Sequence, residues 1–310
     1  MHSSQIKNCK VPSFLLNAPF SLTALQANNQ FMLDLADAER GVDFAAALDE
    51  WLELYHFLGE RGLVYVLPSQ EGLQDLPYVS NLAIVLPHLK DEVAVIANFQ
   101  TEPRRGETAV GQSFFRSMGF ETIVAPKYFE GEADLKYLRD NIYFGAHGMR
   151  TSLDTLDWFR DNFDMQVIPI KIRNPYMYHL DCVLFPLSKE TVIVCTEVCE
   201  KEEIRAIEQV AEIIDIEHDI GQLAFTNLVR CQDYILGDTF IKDFTPGDEW
   251  YDLEKKKQAK IESICAAQGL ELKQFYLGEF YKSGAALSCL VLPLNYPRRR
   301  NYIGIEEKQA

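Results

Sequence analysis

The segment YHLDCVLFPLSKETVIVCTE, residues 178–197, holds two apolar runs separated by the polar triplet Ser188-Lys189-Glu190. Runs of strand length around a short polar break predict a hairpin-like pair of strands. EEIRAIEQVAEII (202–214) follows with helical spacing, and DIEH (215–218) reads as a returning strand. SNLAIVLPHLKDEVAVIANFQ (80–100) is again a hairpin-like pair followed by a helix and a strand. TNLVRCQDYILGD (226–238) opens a third such unit, with a helix at 250–268 and a strand near 271–277. DLKYLRDNIYFGAHG (134–148) and LQANNQFML (25–33) can open two more. Each unit starts with a polar residue just before its first strand: Asn28, Asn81, Asp134, His179 and Asn227. The rhythm predicts an α/β chain of about five units closed in a ring, with the strand starts converging on one axis.

Further apolar runs at 63–68, 121–126, 165–170 and 289–294 predict more strands. Helical patterns fill the intervals, among them DFAAALDEWLELYHFLGERG (43–62), which ends on a glycine suited to a helix C-terminus. No long linker or low-complexity segment divides the chain, so a single domain, residues 1–310 with its core at about 12–296, is expected.

The composition is that of a globular protein, with 47% hydrophobic and 25% charged residues and a formal charge of -16. That balance argues against a nucleic-acid partner and suits a small cationic ligand. Cys9, Cys182, Cys195, Cys199, Cys231, Cys265 and Cys289 make an odd set without framework spacing, which points to a reducing, cytoplasmic compartment. Cys195 and Cys199 lack a second ligand pair, so a zinc site is not expected. No apolar run approaches the length of a membrane span. Nothing in the chemistry below calls for a metal or organic cofactor, and the sequence leaves a homo-oligomer open.

Several motifs can carry chemistry. In YHLDCVLFPL, His179 and Asp181 are two apart, and on a strand they would share one face. They could act as a base with its orienting carboxylate, as two separate contacts, or as a hydrogen-bonded core histidine and its neighbour. Asp75 in GLQDLPYVSN sits on a turn, as a cap or as a ligand for a cation. Glu130, Glu132 and Asp134 crowd around Gly131 in YFEGEADLKYL, either as a solvated acidic loop or as a cradle for a cationic group. Arg150 in HGMRTS and Arg104 and Arg105 in EPRRGE can bind a carboxylate or form surface ion pairs. Cys289 in SGAALSCLVLPLN follows small residues and precedes an apolar strand, as a buried thiol or as a nucleophile. Together these groups match attack on a guanidinium carbon. That reaction needs a thiolate, carboxylates on the two-nitrogen edge, an acid for the departing amine and, for an amino-acid substrate, an arginine for its carboxylate.

The ordered set GLQDLPYVSN, EPRRGE, FEGEAD, HGMRTS, YHLDCVLFPL and LSCLVLPL resembles the guanidino-modifying (pentein) superfamily, from about residue 12 to 296. That group includes arginine deiminases, dimethylarginine dimethylaminohydrolases and arginine:glycine amidinotransferases. The resemblance implies a five-bladed α/β propeller of ββαβ units. It implies Cys289 as nucleophile, His179 as acid and then base, and Asp75 on the guanidinium. Glu130 and Asp134 map to the family's acidic motif, with a one-residue departure that lets Glu132 stand in for Glu130. Arg150 matches the arginine that contacts the substrate carboxylate, with Arg105 as a second contact. An Asp rather than an Asn at position 75 favours one round of attack, ending at citrulline. The same resemblance leaves open an amidinotransferase, and a non-catalytic binding protein like the ribosomal anti-association factor of the same ring fold. Leu22–Phe31, which contains Asn28, and Asp238–Asp252 are expected as walls or lids of the pocket. The polar tail beyond residue 296 is expected on the surface.

Overall fold

Fifteen short strands, many of them apolar and β-branched, form among the described residues, which in this computed structural model are Ile6, Cys9 and 11–296. The tail expected on the surface lies outside the described residues. The strands are β1 Ser13–Asn17, β2 Leu63–Leu67, β3 Ala83–Val85, β4 Val93–Ile96, β5 Glu121–Val124, β6 Leu135–Arg139, β7 Ile142–His147 and β8 Gln166–Lys171. The remainder are β9 Leu184–Pro186, β10 Thr191–Val194, β11 Glu212–Asp215, β12 Val229–Cys231, β13 Tyr234–Asp238, β14 Glu271–Phe275 and β15 Leu292–Pro293. They pair into five three-stranded sheets: β15-β1-β2, β3-β4-β5, β6-β7-β8, β9-β10-β11 and β12-β13-β14. In each sheet the first pair is antiparallel and the second parallel. A parallel return needs a crossover, and a helix supplies it. The crossovers are Phe44–Gly59, Glu107–Ser117, Leu153–Phe163, Lys201–Glu208 and Glu249–Ala267. The first of these buries Ala47, Trp51, Leu54 and Leu58 along one stripe and is capped by Asp43, whose side chain accepts from Ala45 and Ala46 N–H. The architecture is a five-bladed α/β propeller of ββαβ units.

Four of the predicted unit openers, Asn81, Asp134, His179 and Asn227, do lie ahead of first strands, those of β3, β6, β9 and β12. Asn28 does not. The blade containing β1 takes its antiparallel strand from the other end of the chain, where Phe14 faces Pro293 and Leu15 faces Leu292. The helix expected over 202–214 ends at Glu208, and Glu212–Asp215 instead pairs in parallel with β10. Ile213 and Ile214 have the β-branched character that favours this pairing.

A turn precedes each blade's first strand, and the turns lock to one another around the axis. Val79–Asn81 packs on Gly131–Asp134 and on Leu287–Leu290, and Gly131–Asp134 packs on Leu180–Cys182. Thr226 Oγ1 donates to Asp181 O (2.9 Å), and Ser288 N donates to Asn227 Oδ1 (2.7 Å), which completes the circle. Gly131 is required there: φ is +64°, and a Cβ would stand 2.4 Å from Ser80 O and 2.6 Å from Asn81 O.

Candidate active site

The turn ring places polar side chains in a buried setting. His179 caps the 3-10 turn Leu180–Cys182, and Cys289 lies within the 3-10 turn Leu287–Leu290, so neither is on a strand. Three residues per turn rotate positions two apart to different sides. Asp181 therefore does not share the His179 face. Its Oδ2 accepts from Ser288 Oγ (2.6 Å), it is fully buried, and it lines no part of the cavity described next.

His179 and Cys289 both line one small polar cavity with Asn28, Asn29, Asp75, Tyr78, Asn81, Arg104, Arg150 and Tyr178. Asp75 reaches it from the turn after β2. Its Oδ2 accepts from Asn28 Nδ2 (2.5 Å), and burial pushes its carboxyl up against the pull of Arg104. Glu130 sits behind the imidazole, with its Oε2 2.7 Å from His179 Nε2. Arg150 Nη1 donates to both Glu130 oxygens (3.2 and 3.3 Å). Burial works against the Glu130 charge, but Arg150 and the His179 hydrogen bond outweigh it and hold the carboxyl well below the usual range. An ionised Glu130 fixes the orientation of the ring. Glu132, the alternative to Glu130, turns away and binds Lys136 Nζ (2.6 Å).

The Cys289 thiol is pushed up to about 12, first by burial and then by the Asp181 charge. Asn227 Nδ2 donates to Sγ at 3.9 Å and offsets part of this. A thiol in this state needs a cation beside it to ionise.

Two other sequence expectations are placed differently. Asp134 accepts from Thr151 Oγ1 (2.7 Å) and Leu180 N (3.2 Å) and ties two turns together outside the cavity lining. Arg105 is exposed and donates to Gln100 O (3.2 Å), whereas Arg104 is the arginine that faces the cavity. The signal was Glu107, three residues on, which takes Arg104 Nε (3.0 Å) and Nη2 (2.7 Å) and turns it inward. Asn28 lines the cavity as part of the loop over it, and its carbonyl accepts from Arg150 Nη2 (2.6 Å). Asn81, Asn227 and Tyr178 were not given chemical roles from sequence. The first two were visible there only as unit openers.

Among the described residues, no group of three or more His, Cys, Asp or Glu is placed to hold a metal ion. The site combines a sulfur, an imidazole backed by a carboxylate, a buried carboxylate and two arginines, which suits nucleophilic attack on a cationic amidine.

The model of a family described as N,N dimethylarginine dimethylhydrolase, eukaryotic, matches residues 18–292. The chain is 26% identical over 260 residues to the bifunctional arginine dihydrolase/ornithine cyclodeaminase AgrE of Nostoc sp., covering 82% of this chain and 34% of the relative. It thus spans about a third of the length of that curated relative. It is 24% identical over 180 residues to an N(G),N(G)-dimethylarginine dimethylaminohydrolase of Mycobacterium tuberculosis, covering 58% of this chain and 57% of the other. The fold is similar to the product-bound N-terminal domain of ArgZ, a cyanobacterial arginine dihydrolase (TM-score 0.78, 21% identity, 92% and 97% of the two chains). It is also similar to a dimethylarginine dimethylaminohydrolase mutant from Pseudomonas aeruginosa complexed with citrulline (TM-score 0.69, 17% identity, 91% and 99%).

Proposed function

We propose a function on one premise: this chain belongs to the eukaryotic N,N dimethylarginine dimethylhydrolase family, among the guanidino-modifying enzymes. It is a cysteine-dependent hydrolase of the guanidinium group of arginine or an arginine-like substrate. The products are a ureido compound, citrulline from arginine, and ammonia or an amine. The observation that carries this reading is the cavity lined jointly by Cys289, His179 and Asp75, with Glu130 against the imidazole. We read residues 12–296 as one catalytic domain. A reducing, cytoplasmic setting suits the seven free cysteines.

Asp75 takes the cationic edge of the substrate, and Arg150 or Arg104 takes its carboxylate. The guanidinium charge lowers the barrier to ionising Cys289, whose proton passes to His179. Thiolate attack forms an S–C bond. The C–N bond breaks as His179 returns the proton to the departing nitrogen, and an amidino-sulfur intermediate remains. Neutral His179 then takes a proton from water, the resulting hydroxide attacks the same carbon, and the C–S bond breaks. The thiolate recovers the proton from His179, so acid and base duties fall on one imidazole in turn. Glu130 stabilises the imidazolium and holds its orientation. Asp75 rather than Asn favours one round of attack.

The test is a panel of arginine, methylated arginines and agmatine assayed for ammonia, alkylamine and ureido products. Citrulline from arginine supports the reading. Ornithine with guanidinoacetate when glycine is present reassigns the protein as an amidinotransferase. Cys289→Ser should keep the melting profile and lose turnover by on the order of 10³-fold or more. Near-normal ammonia release from it removes the mechanism.

A further inference from the structure

Cys289, His179 and Tyr178 also line a second cavity, in whose lining Asp75 takes no part, with about 1050 Å3 of empty space that is partly open to solvent. Its wall includes Phe31, Met177, Leu223, Trp250 and Tyr281 beside the neutral amides of Gln222 and Asn227, and among the described residues His179 is its one titratable base. Among the described residues, no Asp, Glu, Lys or Arg lines it. The two cavities thus share the sulfur and the acid but differ in chemistry. One holds Asp75, Arg104 and Arg150, and the other is aromatic and uncharged apart from the shared imidazole. One covering segment roofs both, with Asn28 and Asn29 over the polar cavity and Phe31 over the apolar one.

We propose that the apolar cavity receives the substituent on the departing nitrogen, so that the enzyme accepts Nω-substituted arginines whose leaving amine carries a bulky alkyl or arylalkyl group. This rests on the hydrolase reading. A substrate held by the arginines and Asp75 puts its guanidinium carbon against Cys289, at the partition. The nitrogen that departs must lie within reach of His179, which the partition also carries. A hydrocarbon group on that nitrogen leaves water for an aromatic lining and loses no charged partner there. Once Cys289 displaces it and His179 supplies the proton, the product R–NH2 is neutral, which the uncharged lining tolerates. An amino-acid head cannot exchange places with it, because its carboxylate would lose the arginine that holds it.

The experiment compares arginine, Nω-methylarginine and Nω-benzylarginine, following citrulline together with ammonia, methylamine or benzylamine. Expected is release of benzylamine with citrulline, at a kcat/KM no lower than for Nω-methylarginine. Filling the cavity with Leu223→Trp should lower kcat/KM for the benzyl substrate by about 10-fold or more while leaving arginine nearly unchanged. Met177→Trp serves the same purpose if the first variant does not fold. Turnover of arginine and the methyl compound without the benzyl one overturns the proposal and leaves the hydrolase reading standing. So does ammonia release that leaves Nω-benzylcitrulline, since the substituent then sits on a nitrogen that stays. A fill variant that slows all substrates equally points to a merely structural role and also overturns it. If all three compounds are inert, the hydrolase reading falls first and the proposal with it.

Discussion

Burial, and then the Asp181 charge, push the Cys289 thiol up to about 12, which favours thiol over thiolate where no cation lies beside it. With the thiol pushed up to about 12, the thiolate fraction of free enzyme rises about tenfold per pH unit through the neutral and mildly alkaline range. Iodoacetamide labelling of Cys289, read by peptide mass spectrometry, should rise with that slope and show no plateau between roughly pH 7 and 10. A plateau near neutrality means that the thiol is already ionised and that the resting state described here is wrong. Glu130 behaves in the opposite sense. Its folded pKa is depressed, so its contribution to stability is full above its usual value of 4.5 and fades as pH falls toward the folded value. Glu130→Gln also leaves Arg150 buried without its carboxylate, at a cost of about 3–5 kcal/mol at neutral pH. The gap between wild type and variant in urea melts should narrow below pH 4.5, and a gap independent of pH would separate Glu130 from the charge role. The sequence pointed to the types of these residues but not to their directions. A strand-based reading put His179 and Asp181 on one face, whereas the 3-10 turn sends Asp181 to Ser288 and leaves Glu130, 49 positions away, to meet the imidazole.

At the scale of elements, strand runs were legible because apolar β-branched stretches of strand length have few other uses. The turns ahead of them were not. CLVLPL and CVLFPL look apolar throughout, yet their first residues belong to 3-10 turns packed against neighbouring blades. Such turns are fixed by contacts between blades, which local pattern does not encode. Gly131 is where this matters most. The helical turn Gly131–Asp134 approaches Ser80 O and Asn81 O, leaving no room for a side chain, and its φ is +64°. Gly131→Ala should cost about 1–3 kcal/mol for the conformation alone, plus the displacement of the adjacent blade. Glu130 is the preceding residue, so kcat should fall more than KM rises. An alanine variant with an unchanged melt and unchanged kcat would mean that the turn contact contributes nothing to the site.

For the whole molecule, the sequence rhythm found the ring but misplaced its joint. Asn28 was counted as the fifth opener because it precedes an apolar stretch. The true fifth turn, Leu287–Leu290, belongs to the blade of β1, at the other end of the chain. Pairing of distant ends carries no local signature, so periodicity alone could not supply it. One side chain reinforces the strand pairing at the joint. Asn295 Oδ1 accepts from Ser13 N (2.9 Å), while its Nδ2 donates to Ile6 O (3.0 Å) and Val11 O (3.0 Å). Cys289 lies on the turn that feeds β15, so the position of the sulfur depends on this closure. Asn295→Ala would leave the buried Ser13 N–H and the carbonyls without their partner. At about 1–3 kcal/mol for each buried group left unsatisfied, a loss of about 2–4 kcal/mol is expected. The measurement is a urea or thermal melt beside a kcat determination well below the transition. Destabilisation with turnover also reduced, in protein that is still folded, ties closure to catalysis. Destabilisation with wild-type kcat makes the joint a matter of stability alone and removes the link drawn here between ring closure and the nucleophile.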